Sequence, residues 1–422
     1  NKAIELKSDY AEAHNNLGNT FHEIGRFEDA VSQYHVALKL KPGFANAYTN
    51  LGDNLNKLKK FSEAVIVYKK AINIEPDSAE IYSNMGTAQH KYGQIYEAVT
   101  SFEKATILNP RHREALNALA GLFVQLDIPS PKKAKFIENT KTLLRSDISP
   151  LLLCYKLIDE FIGGNFNVAK TSQLEFDNLY FNKMEELTSS QNKFCTAYSR
   201  TIKKLLTWDT PDHGSRNEHN VFHLGESHCL SYAHRTVQIG SRNYTIKPKI
   251  IFGAKAWHFS QSQPNNFKFF FINYLKSIPK NSKVFLSFGE IDCRSDEGIL
   301  SFNKNGDKKM GDIISSTVSG YVNWAIEQFL GKDCDLYFFG VPAPIIEDLD
   351  DGPLRGHSLD RVDMIRDFNN TLNRTVLSKG FNFVDVYSFT ANQIGLSNNL
   401  YHMDPRHLAP SALTKIQAIL VE

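Results

Sequence analysis

The chain has no run of ~18 apolar residues, the length a helix needs to cross a bilayer. It has almost no charge imbalance: 48 Lys and Arg stand against 46 Asp and Glu, a net charge of +2. That excludes the strongly basic field by which nucleic-acid binding is usually recognised. Cysteine is scarce. The five thiols, Cys154, Cys195, Cys229, Cys293 and Cys334, are odd in number and never spaced as CxxC. They read as free thiols, not a disulfide or zinc framework, and point to a reducing compartment such as the cytoplasm. No HxH or HExxH spacing occurs, so no metal or other cofactor is expected. What is present is ordinary for folded domains: 42% apolar and 22% charged residues, which rules out a disordered or collagenous chain. At ~100–200 residues per domain, the 422 residues suggest about two to four domains. The first residue is Asn1, in mid-pattern, so a fragment of a longer chain is expected.

The first third repeats itself at a shift of 34 residues. Gly18, Gly52 and Gly86 share one column; Ala30, Ala64 and Ala98 share another, as do Ala37, Ala71 and Ala105. Tyr34, Tyr68 and Phe102 form an aromatic column, and Pro42, Pro76 and Pro110 a proline column. Small residues let two helices approach, the aromatic fills the gap between them, and the proline closes the second helix. This pattern resembles the tetratricopeptide repeat, TPR. The resemblance covers residues 1–126: three full repeats at about 11–44, 45–78 and 79–112, a tail of an earlier one before them, and a first helix of a fourth at 113–126. It implies an all-α solenoid whose concave face binds a protein or peptide segment. Spacing or self-association of the attached domain is the plainer use of such a solenoid. Asn15, Asn19, Asn50 and Asn54 recur where some TPRs hold a peptide backbone.

Ile128-Pro129-Ser130-Pro131 breaks the repeat. Residues 127–217 read as a helical bridge with no recognisable chemistry. Phe136, Thr140, Leu143 and Leu144 suggest one helix there, Leu151–Phe161 another and Phe194–Leu206 a third. Asp209–Asn220 is polar, with Pro and Gly, and reads as a linker.

Beyond Asn220, short apolar runs alternate with helical segments. Val221–Gly225, Lys249–Gly253, Val284–Gly289, Leu336–Val341 and Phe383–Val386 are predicted strands. Helices are predicted near 264–277, 312–330 and 360–378, and from Pro410. Such alternation implies a parallel sheet covered on both faces, with ligands beyond the carboxyl ends of its strands. Those ends carry Gly225-Glu226-Ser227-His228, Gly253 with Trp257 and His258, and Gly289-Glu290-Ile291-Asp292-Cys293-Arg294. Asp404-Pro405-Arg406-His407 precedes the last helix.

This ordered set, over residues 218–422, resembles the SGNH or GDSL-like hydrolases. The resemblance implies a three-layer α/β sandwich with a parallel, flavodoxin-like sheet. Carried over, Ser227 is the nucleophile, His407 its general base, and Asp404 the carboxylate that orients the imidazole. The oxyanion hole takes the backbone N–H groups of Ser227 and Gly253. The implied activity is a serine esterase or O-acyltransferase, acting on carbohydrate acyl (acetyl) esters if Trp257, Glu290, Asp292 and Arg294 line a polar substrate site. The plainer reading of Glu290, Asp292 and Arg294 is an internal ion pair holding the loop, and Trp257 could equally be core.

Two residues depart from the pattern. Glu226 replaces the usual Asp. Ile291 replaces an Asn whose side chain completes the oxyanion hole, and Ile cannot donate a hydrogen bond. Ile291 therefore motivates an alternative: a catalytically inactive SGNH-like domain in a TPR binding, scaffold or assembly protein. Cys229 or Cys293 as nucleophile, and His228, His258 and His402 as metal ligands, are minor alternatives. The sequons Asn369-Asn370-Thr371 and Asn373-Arg374-Thr375 fall in a predicted helix, so glycosylation there is not expected.

Overall fold

The computed structural model describes residues 10–126, 136, 139–140, 148–208, 219–294, 298–299, 309–345, 357–404 and 407–421. The chain divides into two compact units. The first holds the chain up to Phe123, residues 129–152 and the short stretch Pro264–Phe269. The second holds Val124–Ile128, Leu153–Gln263 and everything from Phe270 onward.

In the first unit, the predicted helix pairs form α1 (Ala11–Glu23) with α2 (Phe27–Leu40), α3 (Ala45–Lys57) with α4 (Phe61–Ile74), and α5 (Ala79–Tyr92) with α6 (Ile95–Leu108). α7 (Arg113–Gln125) stands where a fourth first helix was expected. Each glycine of the repeat faces the aromatic 16 residues on: a Cβ on Gly18 would sit 2.5 Å from the Tyr34 ring, one on Gly52 2.6 Å from Tyr68, and one on Gly86 2.9 Å from Phe102. Ala30, Ala64 and Ala98, and Ala37, Ala71 and Ala105, are all fully buried, so a larger side chain in either column would push the helices apart. The turn closing each first helix is left-handed at Gly25, Lys59 and Gly93, with φ of 76°, 59° and 90°. Lys59 is the member of that column for which the conformation is strained.

Tyr68 is fully buried, donates to Asp53 Oδ1 at 2.5 Å and accepts from Asn56 Nδ2 at 3.1 Å. Tyr68→Ala is expected to lower the unfolding free energy of the solenoid by about 3–5 kcal/mol, because it opens a ring-sized cavity and removes a hydrogen bond from half-buried Asp53. Urea denaturation followed by far-UV circular dichroism measures this; a loss under about 1 kcal/mol would mean the ring does not hold the helix pair together.

The asparagines of the first helices are hydrogen-bonded from helix to helix. Asn50 Nδ2 donates to Asn15 Oδ1 at 3.1 Å and Asn19 Oδ1 at 3.0 Å, while Asn54 Oδ1 meets His22 Nδ1 at 3.1 Å. These contacts run from one first helix to the next through the Asn15, Asn19 and Asn54 oxygens and the Asn50 nitrogen.

In the second unit, α8 (Pro150–Ile162), α9 (Phe166–Lys183) and α10 (Ser189–Thr207) precede the sheet. α8 and α10 match expected helices. α9 was not foreseen, because its apolar residues do not keep to one stripe: Phe166, Ala169 and Phe176 are buried, while Leu174 and Phe181 are exposed. Of the helix expected at Phe136–Leu144, residues 141–144 lie outside the described residues, as does the linker at 209–218.

The sheet has six strands: β1 (Asn220–Gly225), β2 (Thr236–Ile239), β3 (Arg242–Ile250), β4 (Lys283–Ser287), β5 (Asp335–Phe339) and β6 (Asn382–Val384). Their order is β2-β3-β1-β4-β5-β6. The expected all-parallel sheet is corrected here. β1, β3, β4, β5 and β6 run parallel, but β2 pairs antiparallel with β3, so the sheet is mixed. β3 also starts seven residues before the expected strand at Lys249, because its first four residues are exposed or half-buried and lack the apolar run of a doubly covered strand. The central strands do show that run: Val284, Phe285 and Leu286 are fully buried, as are Leu336 and Phe338.

The remaining helices are α11 (Ala256–Ser260), α12 (Asn266–Ser277), α13 (Met310–Gln328), α14 (His357–Ser378), α15 (Val386–Thr390) and α16 (Leu413–Val421). In α14 the Asn369 side chain bonds both N–H and C=O of Val341 and is buried, so the first sequon is tied into the fold. β1 lies between β3 and β4, so the connections leave it in opposite directions. That is the switch point at which sheets of this kind open a crevice beyond their carboxyl ends.

Candidate active site

Ser227 lies at that switch point. β1 ends at Gly225, where a Cβ would fall 2.2 Å from Ser287 Oγ of the neighbouring β4. The chain then turns into a short 3-10 helix, Ser227–Leu230, that begins with the serine. His407 follows Asp404 on the segment before α16. Ser227 Oγ lies 2.8 Å from His407 Nε2, and His407 Nδ1 lies 2.9 and 3.0 Å from the two Asp404 oxygens. Asp404 Oδ1 also accepts the His407 backbone N–H at 2.9 Å. The spacing of three residues thus lets one carboxylate hold both the backbone and the ring of the same histidine. Ser227 and His407 are both buried, where hydrogen bonds to charged groups strengthen. The three residues singled out in the sequence are brought together as one hydrogen-bonded chain.

Two further residues come from α10, in the stretch read as a bridge without chemistry. Thr201 Oγ1 reaches His407 Nδ1 at 3.2 Å. Tyr198 donates to Glu226, which also accepts from the Ser227 hydroxyl. Tyr198 is set by aromatic packing, its ring 4.5 Å from Phe194 and 5.3 Å from Phe252. Burial pushes the Glu226 carboxyl up, but the Arg294 charge and the hydrogen bonds from Ser227 and Tyr198 outweigh it and hold the group below its usual range. Glu226 is therefore a carboxylate at neutral pH and a second acceptor for the serine hydroxyl. If the expected ester hydrolysis runs through His407, Thr201→Val should lower kcat/KM about two- to tenfold, the worth of one hydrogen bond at that ring, with Thr201→Ser near wild type. Equal rates in all three proteins would show that the contact does not position the imidazole.

The acidic block after β4 makes several internal contacts, although Glu290 Oε1 has no hydrogen-bond partner among the described residues. Arg294 pairs with Glu290 at 2.7 Å, and Arg361 lies 3.9 Å from the same carboxylate. Burial opposes ionisation of Glu290, but Arg294 overrides it and holds the pKa at about 2. Asp292 is buried and accepts the backbone N–H groups of Ala256 at 2.7 Å and Trp257 at 3.1 Å, at the start of α11. Burial raises its pKa to about 6. Glu290 and Arg294 thus form an ion pair and Asp292 a cap within the loop, and Glu290 also lines a cavity beside the Ser227 turn. Trp257 is 37% exposed and stacks edge-on with His258. Gly253 follows β3 with φ of 66°, and a Cβ there would meet nothing within 4 Å, so its backbone faces open space. Ile291 is buried.

The other histidines have local partners. His402 Nδ1 meets Ser397 Oγ at 2.8 Å, His258 Nδ1 accepts Lys255 N–H at 3.0 Å, and the His228 ring lies 5.0 Å from that of His407. Among the described residues no group of three His, Cys, Asp or Glu side chains could hold a metal ion. Burial pushes the Cys229 and Cys293 thiols well above their usual range, which removes the thiolate that a cysteine nucleophile needs. No helix among the described residues is long and apolar enough to cross a membrane.

No curated protein matches the chain. Among solved structures it is similar to the Arabidopsis OM64 TPR domain, at 28% identity over 26% of this chain and 93% of that one, with a TM-score of 0.26. It is also similar to the first TPR of Spaghetti (RPAP3) bound to the HSP90 peptide SRMEEVD, at 25% identity over 28% of this chain and 93% of that one, with a TM-score of 0.27. A third similarity is to YrrB, a TPR protein with an unusual peptide-binding site, at 18% identity over 46% and 96% of the two chains and a TM-score of 0.37. Models of the TPR repeat match residues 18–53 and 52–93, and one of the tetratricopeptide repeat matches 79–112. The first unit therefore carries tetratricopeptide repeats, which point to protein–protein interaction.

Proposed function

We propose that the second unit is an SGNH-type serine esterase or O-acyltransferase. The observation that carries this reading is the contact of Ser227 Oγ with His407 Nε2 at 2.8 Å, with Asp404 on the far ring nitrogen. Such a contact lets the imidazole take the serine proton as Oγ attacks an acyl carbon. The oxyanion would lie against the N–H groups of Ser227 and Gly253. The imidazolium, held by Asp404, would then protonate the leaving alkoxide. A water or an acceptor hydroxyl, deprotonated in turn by His407, would release the acyl group from Ser227. Five parallel strands with Ser227 at the switch point support an SGNH-like sandwich over residues 218–422. Tyr198 and Thr201 extend the working unit into the helical bridge.

A carbohydrate acyl ester as substrate is supported by the partly exposed Trp257 ring beyond β3. The repeats would bring a protein or peptide partner on their concave face. A second reading has one observation in its favour: Ile291, buried where the family carries an asparagine, cannot complete the oxyanion hole. In that reading the domain is inactive and the repeats do the work. Turnover of a short-chain aryl acetate by wild type and Ser227→Ala separates the two. Activity abolished by the substitution supports the esterase; no activity in either protein supports the scaffold.

A further inference from the structure

A small cavity of about 30 Å³ lies against the Ser227 turn. His228, Ser231 and Tyr232 of that turn line it, as does Leu408, which follows His407. Its far wall is His223 of β1, Phe339 of β5 and Val386. The wall is mostly apolar, yet three buried neutral polar atoms there have no hydrogen-bond partner among the described residues, His223 Nδ1, Ser231 Oγ and Tyr232 Oη, and neither has Oε1 of the Glu290 carboxylate, which also lines the cavity. The three neutral side chains are 1%, 1% and 3% exposed. His223 uses its other nitrogen on Ser287 Oγ at 2.9 Å, and its ring is stacked parallel to Tyr232 with centroids 6.2 Å apart. Burying one unpaired polar atom is costly, and three around one small cavity form a built hydrogen-bonding site.

The chemistry of the lining selects its ligand. Burial lowers the His223 pKa to about 3, so the ring is neutral, and the ionised Glu290 adds an acceptor, so the pocket suits an uncharged group with a hydrogen to donate. A cavity of this size holds about two water-sized groups. We propose that it is the pocket for the acyl chain and that it selects a hydroxyacyl group of two carbons, a glycolyl, over its alkyl counterpart. This rests on the esterase reading of Ser227. Beyond the carbonyl, a glycolyl carries one CH2 and one OH. The CH2 meets Phe339 and Val386, and the OH pairs with Tyr232, Ser231 or His223. A propionyl fills the same space and leaves all three polar atoms unpaired. A site built to bond a hydroxyl discriminates strongly against the analogue lacking it.

The test compares kcat/KM for aryl esters of acetic, propionic and glycolic acid. The glycolate is expected to exceed the propionate at least about tenfold. Tyr232→Phe and Ser231→Ala should each cut that ratio about threefold or more. A propionate rate equal to or above the glycolate rate, or a ratio unmoved in both variants, overturns the proposal and leaves the esterase standing. If no ester is turned over, the esterase reading falls, and the pocket is judged by binding. In the Ser227→Ala protein, the NMR signals of the His223 ring should shift with glycolamide and not with propionamide. No shift with either amide, or equal shifts with both, overturns the pocket whatever the ester result.

Discussion

Replacing Ser227 with alanine is expected to lower kcat for a short-chain aryl acetate by ~10⁴-fold or more. The reason is chemical. A serine hydroxyl attacks an acyl carbon only when its proton has somewhere to go, and His407 Nε2 is 2.8 Å away. Alanine leaves His407 and Asp404 in place but removes the atom that forms the acyl bond, so only weak catalysis by the remaining donors persists. The variant should fold, because the serine is a small buried residue at the start of a short turn and loses only its hydroxyl. Thermal melting checks that, and steady-state release of the aryl alcohol checks the rate. A loss of less than about tenfold with intact folding would remove Ser227 from the chemistry. Glu226 makes the outcome informative, since it too accepts from the hydroxyl. If Glu226→Gln then raises the wild-type rate, the carboxylate was competing with His407 for the proton.

Asp404→Asn is expected to cost nearly as much, ~10²–10⁴-fold in kcat, with little change in KM. Asp404 accepts from the His407 backbone N–H and lies within 3.0 Å of Nδ1 through both oxygens. As a carboxylate it keeps the proton on Nδ1 and leaves Nε2 free to accept from Ser227. An asparagine can still take the backbone N–H with its oxygen, but it then turns its NH2 toward Nδ1. That places the ring proton on Nε2, facing the serine, where it blocks proton transfer. Thr201, at 3.2 Å from Nδ1, does not repair this, because a hydroxyl can donate or accept and so imposes no tautomer. The pH–rate profile is the readout: the residual rate of the variant should climb with pH where wild type is flat. A loss below tenfold would mean that Thr201, not Asp404, sets the ring.

The repeats were legible because each rests on a local rule applied several times over. A glycine, an aromatic 16 residues on and a proline after the second helix recur with one spacing, and the packing of Gly52 on Tyr68 is the physical content of that spacing. The central strands were legible for a similar reason: a doubly covered strand must be apolar throughout, as Val284–Leu286 is. The candidate triad was legible because Ser227 follows a strand and Asp404 and His407 share one short segment, so motif and position spoke together.

The sequence by itself determined the helical repeats, the alternation of strands and helices beyond Asn220, and the residue types able to form a serine–histidine–carboxylate chain. Only the tertiary structure decided the rest. Thr201 meets His407 across 206 residues, and Tyr198 reaches Glu226 from the same helix; no periodicity marks such a pair, since neither partner's neighbours carry a pattern that names the other. The antiparallel β2 pairs with an alternating, half-exposed strand that lacks the apolar signature. Asp292 turned from a possible ligand group into a helix cap, and the amides of Asn15, Asn50 and Asn54 into links between helices, because a polar side chain takes whichever partner the fold brings within hydrogen-bond reach.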